Sequence, residues 1–386
     1  MFKLISNANL YIPQSIGIGH VLCCDKKIVY VGSQKPEIGG GLVLEETDFE
    51  GRRLIPGLID GHTHITGGGG ETGFASRVPT VALSNFTSAG VTTAIGLLGT
   101  DDVTRSTSSL IAGTLALREE GMSAWCYTGG YHFPLTTLTD SAIKDITHID
   151  CVIGIGELAI SDHRSSQISW RELARIASEA HVAGLITGKA GIVHLHLGDG
   201  ESGLSLLKKV FKKTELPNRV LNPTHVNRLS SLFEEACELV ETGTYIDLTA
   251  YPMADDDPGI SIKNAVSDYF NKGLPNDRLT ISSDGGGCLP VFDKNGELSS
   301  LDFARCSSLS NALDELVRNG VELEDVLPLF TSNVATLLRL KNKGHIAMGL
   351  DADLVSLDEN NKIHDVMCRG QWHMQDKKLV IKGTFE

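Results

Sequence analysis

The sequence predicts an α/β fold: a closed (β/α)8 barrel of the TIM type carrying a small β domain made from the two chain ends. Three observations lead to it. Eight short apolar runs of strand character follow one another through the middle of the chain. Stretches with the 3.6-residue period of amphipathic helices separate them. Both ends lack such helices and hold short strand-like pieces between turn residues. Eight β-then-α units in a row favour a closed parallel barrel over an open sheet.

The strand runs, in order, are LIPGLID from Leu54, VTTAIGLL from Val91, SAWCYTGG from Ser123, VIGIGELAI from Val152, GIVHLHLG from Gly191, RVLNPTHV from Arg219, TYIDLTA from Thr244 and RLTISSD from Arg278. Continuous apolar runs of this length read as buried strands, and longer periodic stretches as helices. SLIAGTLALREEG, WRELARIASEAHVAG and LSSLFEEACELVETG have helical patterns and end at Gly121, Gly184 and Gly243, each placed as a C-terminal stop. The end pieces are KLISNANLYI and HVLCCDKKIVYVG, then ADLVSLD, DVMCRGQWHM and KKLVIKG. Residues 1–53 with 343–386 are therefore expected to form the β domain, and 54–342 the barrel.

The bulk numbers restrict the function. The 386 residues suit one large barrel plus a small module. With 41% hydrophobic and 21% charged residues, a large core is feasible and disorder is not expected. A net charge of −14 disfavours a nucleic-acid surface or a polybasic membrane contact. The N-terminus lacks a basic stretch followed by an apolar core, and no apolar run approaches the roughly 20 residues of a membrane span. The eight cysteines are scattered without a C-x-x-C pair, so reduced thiols in a cytoplasmic enzyme are expected.

Barrel enzymes carry their chemistry at the C-terminal ends of the strands. Metal-binding residue types gather there. The first strand ends in Asp60-Gly61-His62-Thr63-His64, and residues two apart in a strand face the same side, so the two imidazoles project together. The fourth strand ends near Glu157, the fifth with His194-Leu195-His196, the sixth at His225 and the eighth at Asp284. Any one of these could be a satisfied core polar group; five at the same rim point to a binuclear metal site.

The run LIPGLIDGHTH resembles the opening signature of the amidohydrolase superfamily. Within it the chain resembles isoaspartyl (β-aspartyl) dipeptidases over essentially its full length, through GGGGETG (67–73), GLLGTD (96–101), GGYHFP (129–134), AISDHRS (159–165), PTHVNR (223–228), ISSDGGG (281–287) and the terminal VIKGTFE. The resemblance implies two divalent metal ions. His62 and His64 would hold one, His196 and His225 the other, and Asp284 would bind one and act in catalysis. His194, one pleat deeper, would be a polar residue behind the ligands. The family pattern has a carboxylated lysine bridging the metals from the fourth strand. Glu157 stands there, so no modified lysine is expected, although a glutamate reaches less far. Lys144 and Lys189 fall away from the strand ends. Histidine and carboxylate ligands suit zinc.

The same resemblance implies a mechanism. Two metals sharing a water lower its pKa from about 15.7 towards about 7. Asp284 would take the proton and pass it to the leaving nitrogen. Tyr131 would donate to the developing oxyanion, a contact worth about 3–4 kcal/mol. The substrate, a β-aspartyl dipeptide, has an ammonium and two carboxylates. Glu71 would meet the ammonium; Gly69, Gly70 and Thr100 would contact the head group; Arg164 and Arg228 would fork onto the terminal carboxylate. Cys288 stands where the family has a serine. Relatives form symmetric assemblies, so a homo-oligomer is implied. Two other readings stay open. A cyclic-amide hydrolase of the dihydropyrimidinase or dihydroorotase type would use the same metals, but needs no partner for a free ammonium. A non-catalytic assembly relative would be expected to have lost ligands, and this chain has not.

Overall fold

The computed structural model describes residues 1–39, 43–253, 258–292 and 298–386. Eight strands form the barrel: Leu58–Thr63, Val91–Gly96, Ser123–Thr128, Val152–Ile160, Val193–Leu197, Leu221–Thr224, Ile246–Thr249 and Leu279–Ser282. The first six pair in sequence order as one parallel sheet, and the last two pair with each other. Seven of the expected runs contain one of them, and the first, Leu54–Asp60, overlaps Leu58–Thr63.

Side-chain hydrogen bonds, with one backbone pair, close the two remaining seams. Between the sixth and seventh strands, Asn222 Nδ2 donates to the Tyr245 carbonyl at 3.1 Å and Thr224 Oγ1 to Asp247 Oδ2 at 2.7 Å. Between the eighth and the first, the Ser283 amide donates to Asp60 Oδ1 at 3.1 Å and the His64 amide to the Gly285 carbonyl at 2.8 Å. Buried polar groups are costly unless paired, so these polar residues sit where the backbone ladder leaves partners to supply.

Helices follow the strands, among them Thr107–Glu119, Trp170–Thr187 and Ser230–Val240. Ser169 caps the second of these by accepting from the Glu172 amide. Two expectations need correction. Gly184 is not the stop of that helix, which runs on to Gly188 in the left-handed conformation. Gly184 is interior because a Cβ there would come within 2.7 Å of Gly191 Cα, where the helix packs on the barrel. The run from Leu54 to Asp60 is not one strand. The chain passes from one sheet to the other at Gly57, where a Cβ would collide with the Thr92 side chain. Arg53–Pro56 joins the end sheet, and Leu58–Thr63 opens the barrel.

The end sheet has nine strands drawn from both ends of the chain and forms a separate β domain. Arg53–Pro56 links its halves, pairing parallel to Phe2–Tyr11 and antiparallel to Leu354–Leu357. Its own core includes Ile5, Val21, Phe49, Leu354 and Trp372. The larger core lies between the barrel strands and their helices. A hairpin, Cys288–Phe292 with Leu298–Phe303, rises from the rim after the eighth strand.

Candidate functional site

The strand ends bring the expected ligands together. His62, His64, Glu157, His196, His225 and Asp284 are all buried at one end of the barrel. Glu157 lies at their centre. Its Oε1 is 3.4 Å from His64 Nε2, and its Oε2 is 3.5 Å from both His62 Nε2 and His225 Nε2 and 3.2 Å from His196 Nδ1. Asp284 Oδ1 is 3.0 Å from His64 Nε2 and 3.3 Å from His62 Nε2.

A short side chain achieves this reach through an irregular register. Val193 pairs with Ile155, but Leu195 pairs with Leu158, so Gly156 and Glu157 together face the single residue His194. Such a bulge bends a strand and re-aims its side chains. Gly156 permits it, because a Cβ there would come within 2.9 Å of His194 Cβ. His225 and Asp284 are held in the left-handed region, at φ 60° and 57°. Non-glycine residues there cost about 1–3 kcal/mol and gather at functional sites.

The donor set fits divalent metal ions. His62, His64 and Asp284 form one group of converging ligand atoms; His62, Glu157 and His225 form another. His62 Nε2 and Asp284 Oδ1 are buried with no hydrogen-bond partner among the described residues. Burial favours a neutral Glu157, yet the imidazoles of His62 and His196 hold its carboxyl well below the usual range. Burial likewise opposes charge on Asp284, and His62 and His64 hold it down. Burial would depress His62, but Glu157 and Asp284 push it up to about 9. The cluster is therefore arranged around positive charge. His196 falls outside both groups, because its Nε2 turns to Asp162 Oδ2 at 3.1 Å while Nδ1 faces Glu157.

A cavity of about 420 Å³ opens above this cluster, lined by Gly69, Glu71, Thr100, Tyr131, Arg164, Arg228 and Cys288 as well as His64, Glu157, His196, His225 and Asp284. His62 lies behind its wall, fully buried. Gly70 lines an adjoining recess with Arg77 and Asp101 instead. Tyr131 Oη is 2.8 Å from His196 Nδ1, and burial pushes its phenol well above the ordinary range, so it remains a donor. Glu71 places Oε1 3.3 Å from Arg164, while its Oε2 is buried without a partner among the described residues. Burial pushes the Cys288 thiol up to about 12, which keeps it protonated.

Sequence reasoning missed the groups behind this lining. Arg105 clamps the glycine loop, donating to the carbonyls of Gly68 at 2.8 Å and Gly69 at 3.1 Å, and pairs with Asp101 at 2.9 Å. Gly69, at φ +72°, must be glycine, since a Cβ would lie 2.4 Å from the Ser76 carbonyl. Asp162 takes the Arg164 guanidinium on both oxygens. Its D-x-R spacing in AISDHRS is the one local signal that could have suggested the pair. His132 Nδ1 meets Asp102 at 2.7 Å, bracing the loop that carries Tyr131. No helix among the described residues is long and apolar enough to cross a membrane. All eight cysteines are free.

Imidazoles and carboxylates gathered at the C-terminal rim of a (β/α)8 barrel, under a charged cavity, define a metal-dependent hydrolase. Residues 53–373 match the family model described as the amidohydrolase family, and the chain belongs to that family. It is similar to the β-aspartyl dipeptidase of the thermophilic, keratin-degrading Fervidobacterium islandicum AW-1, solved in complex with the β-Asp-Leu dipeptide. The two are 42% identical, with 98% of each chain covered and a TM-score of 0.91. Allantoinase from Desulfitobacterium hafniense (strain Y51) is 21% identical over 93% of this chain and 86% of its own length. Dihydropyrimidinase from Brevibacillus agri NCHU1002, at 16% identity and a TM-score of 0.68 over 99% of this chain and 97% of its own, shares the fold.

Proposed function

We propose that this amidohydrolase cleaves β-aspartyl dipeptides, and that His62, His64, His196, His225 and Asp284 would hold its two divalent ions, with Glu157 as the carboxylate that would bridge them. The observation that carries the reading is Glu71: a buried carboxylate oxygen without a partner, on the cavity wall, awaits a cation. The free ammonium of an isoaspartyl residue supplies one. A cyclic amide has none, and would leave Glu71 Oε2 unsatisfied at a cost of about 1–3 kcal/mol or more.

The metals, when bound, supply Lewis acidity and a hydroxide nucleophile at neutral pH. The chain's own groups do the rest. Glu71 and the glycine loop, with Gly69, Gly70 and Thr100, hold the aspartyl head group. Arg228 and Arg164 bind the terminal carboxylate, with Cys288 beside them. Tyr131 donates its phenolic proton to the oxygen that gains charge. Asp284 accepts the proton of the attacking water and delivers it to the leaving nitrogen. Zinc as the metal, reduced thiols in a cytoplasmic setting and a homo-oligomer belong to the same reading; the imidazole-rich ligand set and the eight free cysteines support the first two.

The test is hydrolysis of β-Asp-Leu against α-Asp-Leu and a hydantoin by metal-replete protein. Cleavage of the β-linked peptide alone is expected. Equal rates on both peptide isomers, or turnover of the hydantoin alone, would sink the assignment.

A further inference from the structure

A line of polar side chains runs inward from the metal cluster, and the reaction above does not use it. His62 Nδ1 lies 2.8 Å from His194 Nε2. His194 Nδ1 lies 2.7 Å from Asn222 Oδ1. Asn222 Nδ2 donates to the backbone carbonyl of Tyr245 at 3.1 Å. All three side chains are shut off from solvent.

The far end of the line dictates where its protons sit. A carbonyl oxygen only accepts, so Asn222 turns its NH2 to Tyr245 and its Oδ1 to His194. That oxygen also only accepts, so His194 carries a proton on Nδ1. With Nδ1 committed to Asn222, Nε2 is the His194 atom that faces His62 Nδ1, at 2.8 Å. This nitrogen accepts from His62 Nδ1–H, and His62 then presents Nε2 to the cluster. That atom has no hydrogen-bond partner among the described residues and faces Asp284 and Glu157.

We propose that His194, oriented by Asn222, is a positioning residue that sets the tautomer and ring plane of His62 for metal binding. The inference rests on the metal-centre reading above, but not on the identity of the substrate. Tyr127 stacks on the His194 ring, with centroids 5.3 Å apart and planes 18° apart, and so holds its orientation. Of the other imidazoles, His196 turns Nε2 to the Asp162 carboxylate at 3.1 Å, while His64 and His225 lack an equivalent. His64 Nδ1 is buried without a hydrogen-bond partner among the described residues. His225 Nδ1 meets only the Thr249 hydroxyl, at 2.6 Å, which can donate or accept and so imposes no tautomer.

Zinc affinity measured by chelator competition tests this. His194→Leu removes the acceptor, whereas His194→Gln places an amide oxygen where Nε2 stood. The leucine variant should bind zinc about 10–100-fold more weakly and the glutamine variant within about threefold of wild type, the usual scale for a residue behind a metal ligand. Wild-type affinity in the leucine variant, or an equal loss in both, would overturn the proposal. If His194→Leu does not fold, nitrogen-15 NMR of histidine-labelled, zinc-loaded wild-type protein decides: a His194 proton on Nδ1 sustains the proposal, and one on Nε2 overturns it. Neither readout involves peptide hydrolysis, so failure of the dipeptidase assignment would leave both intact.

Discussion

Arg164 is forked onto Asp162, with Nε 3.0 Å from one carboxylate oxygen and a terminal nitrogen 2.7 Å from the other. Its remaining nitrogen faces Glu71 at 3.3 Å, and Asp162 also lies 3.1 Å from His196 Nε2. The guanidinium is thus tied to Glu71 and, through Asp162, to a candidate metal ligand. Arg228 lines the same cavity with no carboxylate partner among the described residues; the contact it makes is to His196, at 3.4 Å.

The two arginines should therefore differ. Arg228→Ala should raise KM for β-Asp-Leu by about 10- to 150-fold, the equivalent of a charge-assisted contact of about 1.5–3 kcal/mol, and leave a β-aspartyl alkylamide unaffected. Arg164→Ala should also lower kcat and metal content, because it leaves the Asp162 charge buried beside His196. Steady-state kinetics on both substrates, with metal analysis, checks this. Identical penalties on the peptide and the amide would show that the arginines are structural.

Glu157 meets all four imidazoles without modification, so reconstitution of metal-free protein should proceed equally with and without added bicarbonate. Glu157→Gln, which removes the charge, should bind less than the wild-type complement of metal. A requirement for bicarbonate, or mass evidence of a carboxylated lysine in the site, would count against Glu157 as the bridge.

Asp284→Asn should reduce turnover at least about 100-fold, the lower end of what a positioned acid–base group contributes. Metal content must be followed in the same samples, since the carboxylate faces His62 and His64. A metal-replete variant of near-normal activity would place the proton transfer elsewhere.

His373 carries a separate pH dependence, remote from the metals. It is fully buried, both ring nitrogens lack hydrogen-bond partners among the described residues, and burial lowers its pKa, with Asp353 opposing. Its folded pKa lies below the unfolded value of about 6.5, so the unfolded chain binds the proton more readily. Stability from this group is complete above about pH 6.5 and is lost as pH falls towards the folded pKa, by at most about 1.4 kcal/mol per unit. Thermal melts of metal-free protein from pH 8 to 5.5 should show a smaller acid-side loss in His373→Phe than in wild type. Parallel curves would refute the assignment.

The eight-strand order and the rim residues His62, His64, Glu157, His196, His225 and Asp284 were legible from sequence because they depend on local properties. A buried strand declares itself by a short apolar run, and its C-terminal end follows from where the run stops. The H-x-H spacing puts two rings on one side through the pleat alone. Other features depend on how distant segments meet. The bulge that lets Glu157 reach the cluster is a register difference against the neighbouring strand, and a single strand carries no register. Gly57 packs against Thr92 and Gly184 against Gly191, and neither contact is visible in the local run. The hold of Asp162 on Arg164 has a faint local signal, but its contact with His196 does not. The hold of Arg105 on the glycine loop, and the line from His62 through His194 to Asn222, join residues 36 and 132 positions apart. Only closure of the barrel brings those donors and acceptors within bonding distance, and in its dry interior each buried polar group must find the partner that the closed fold supplies.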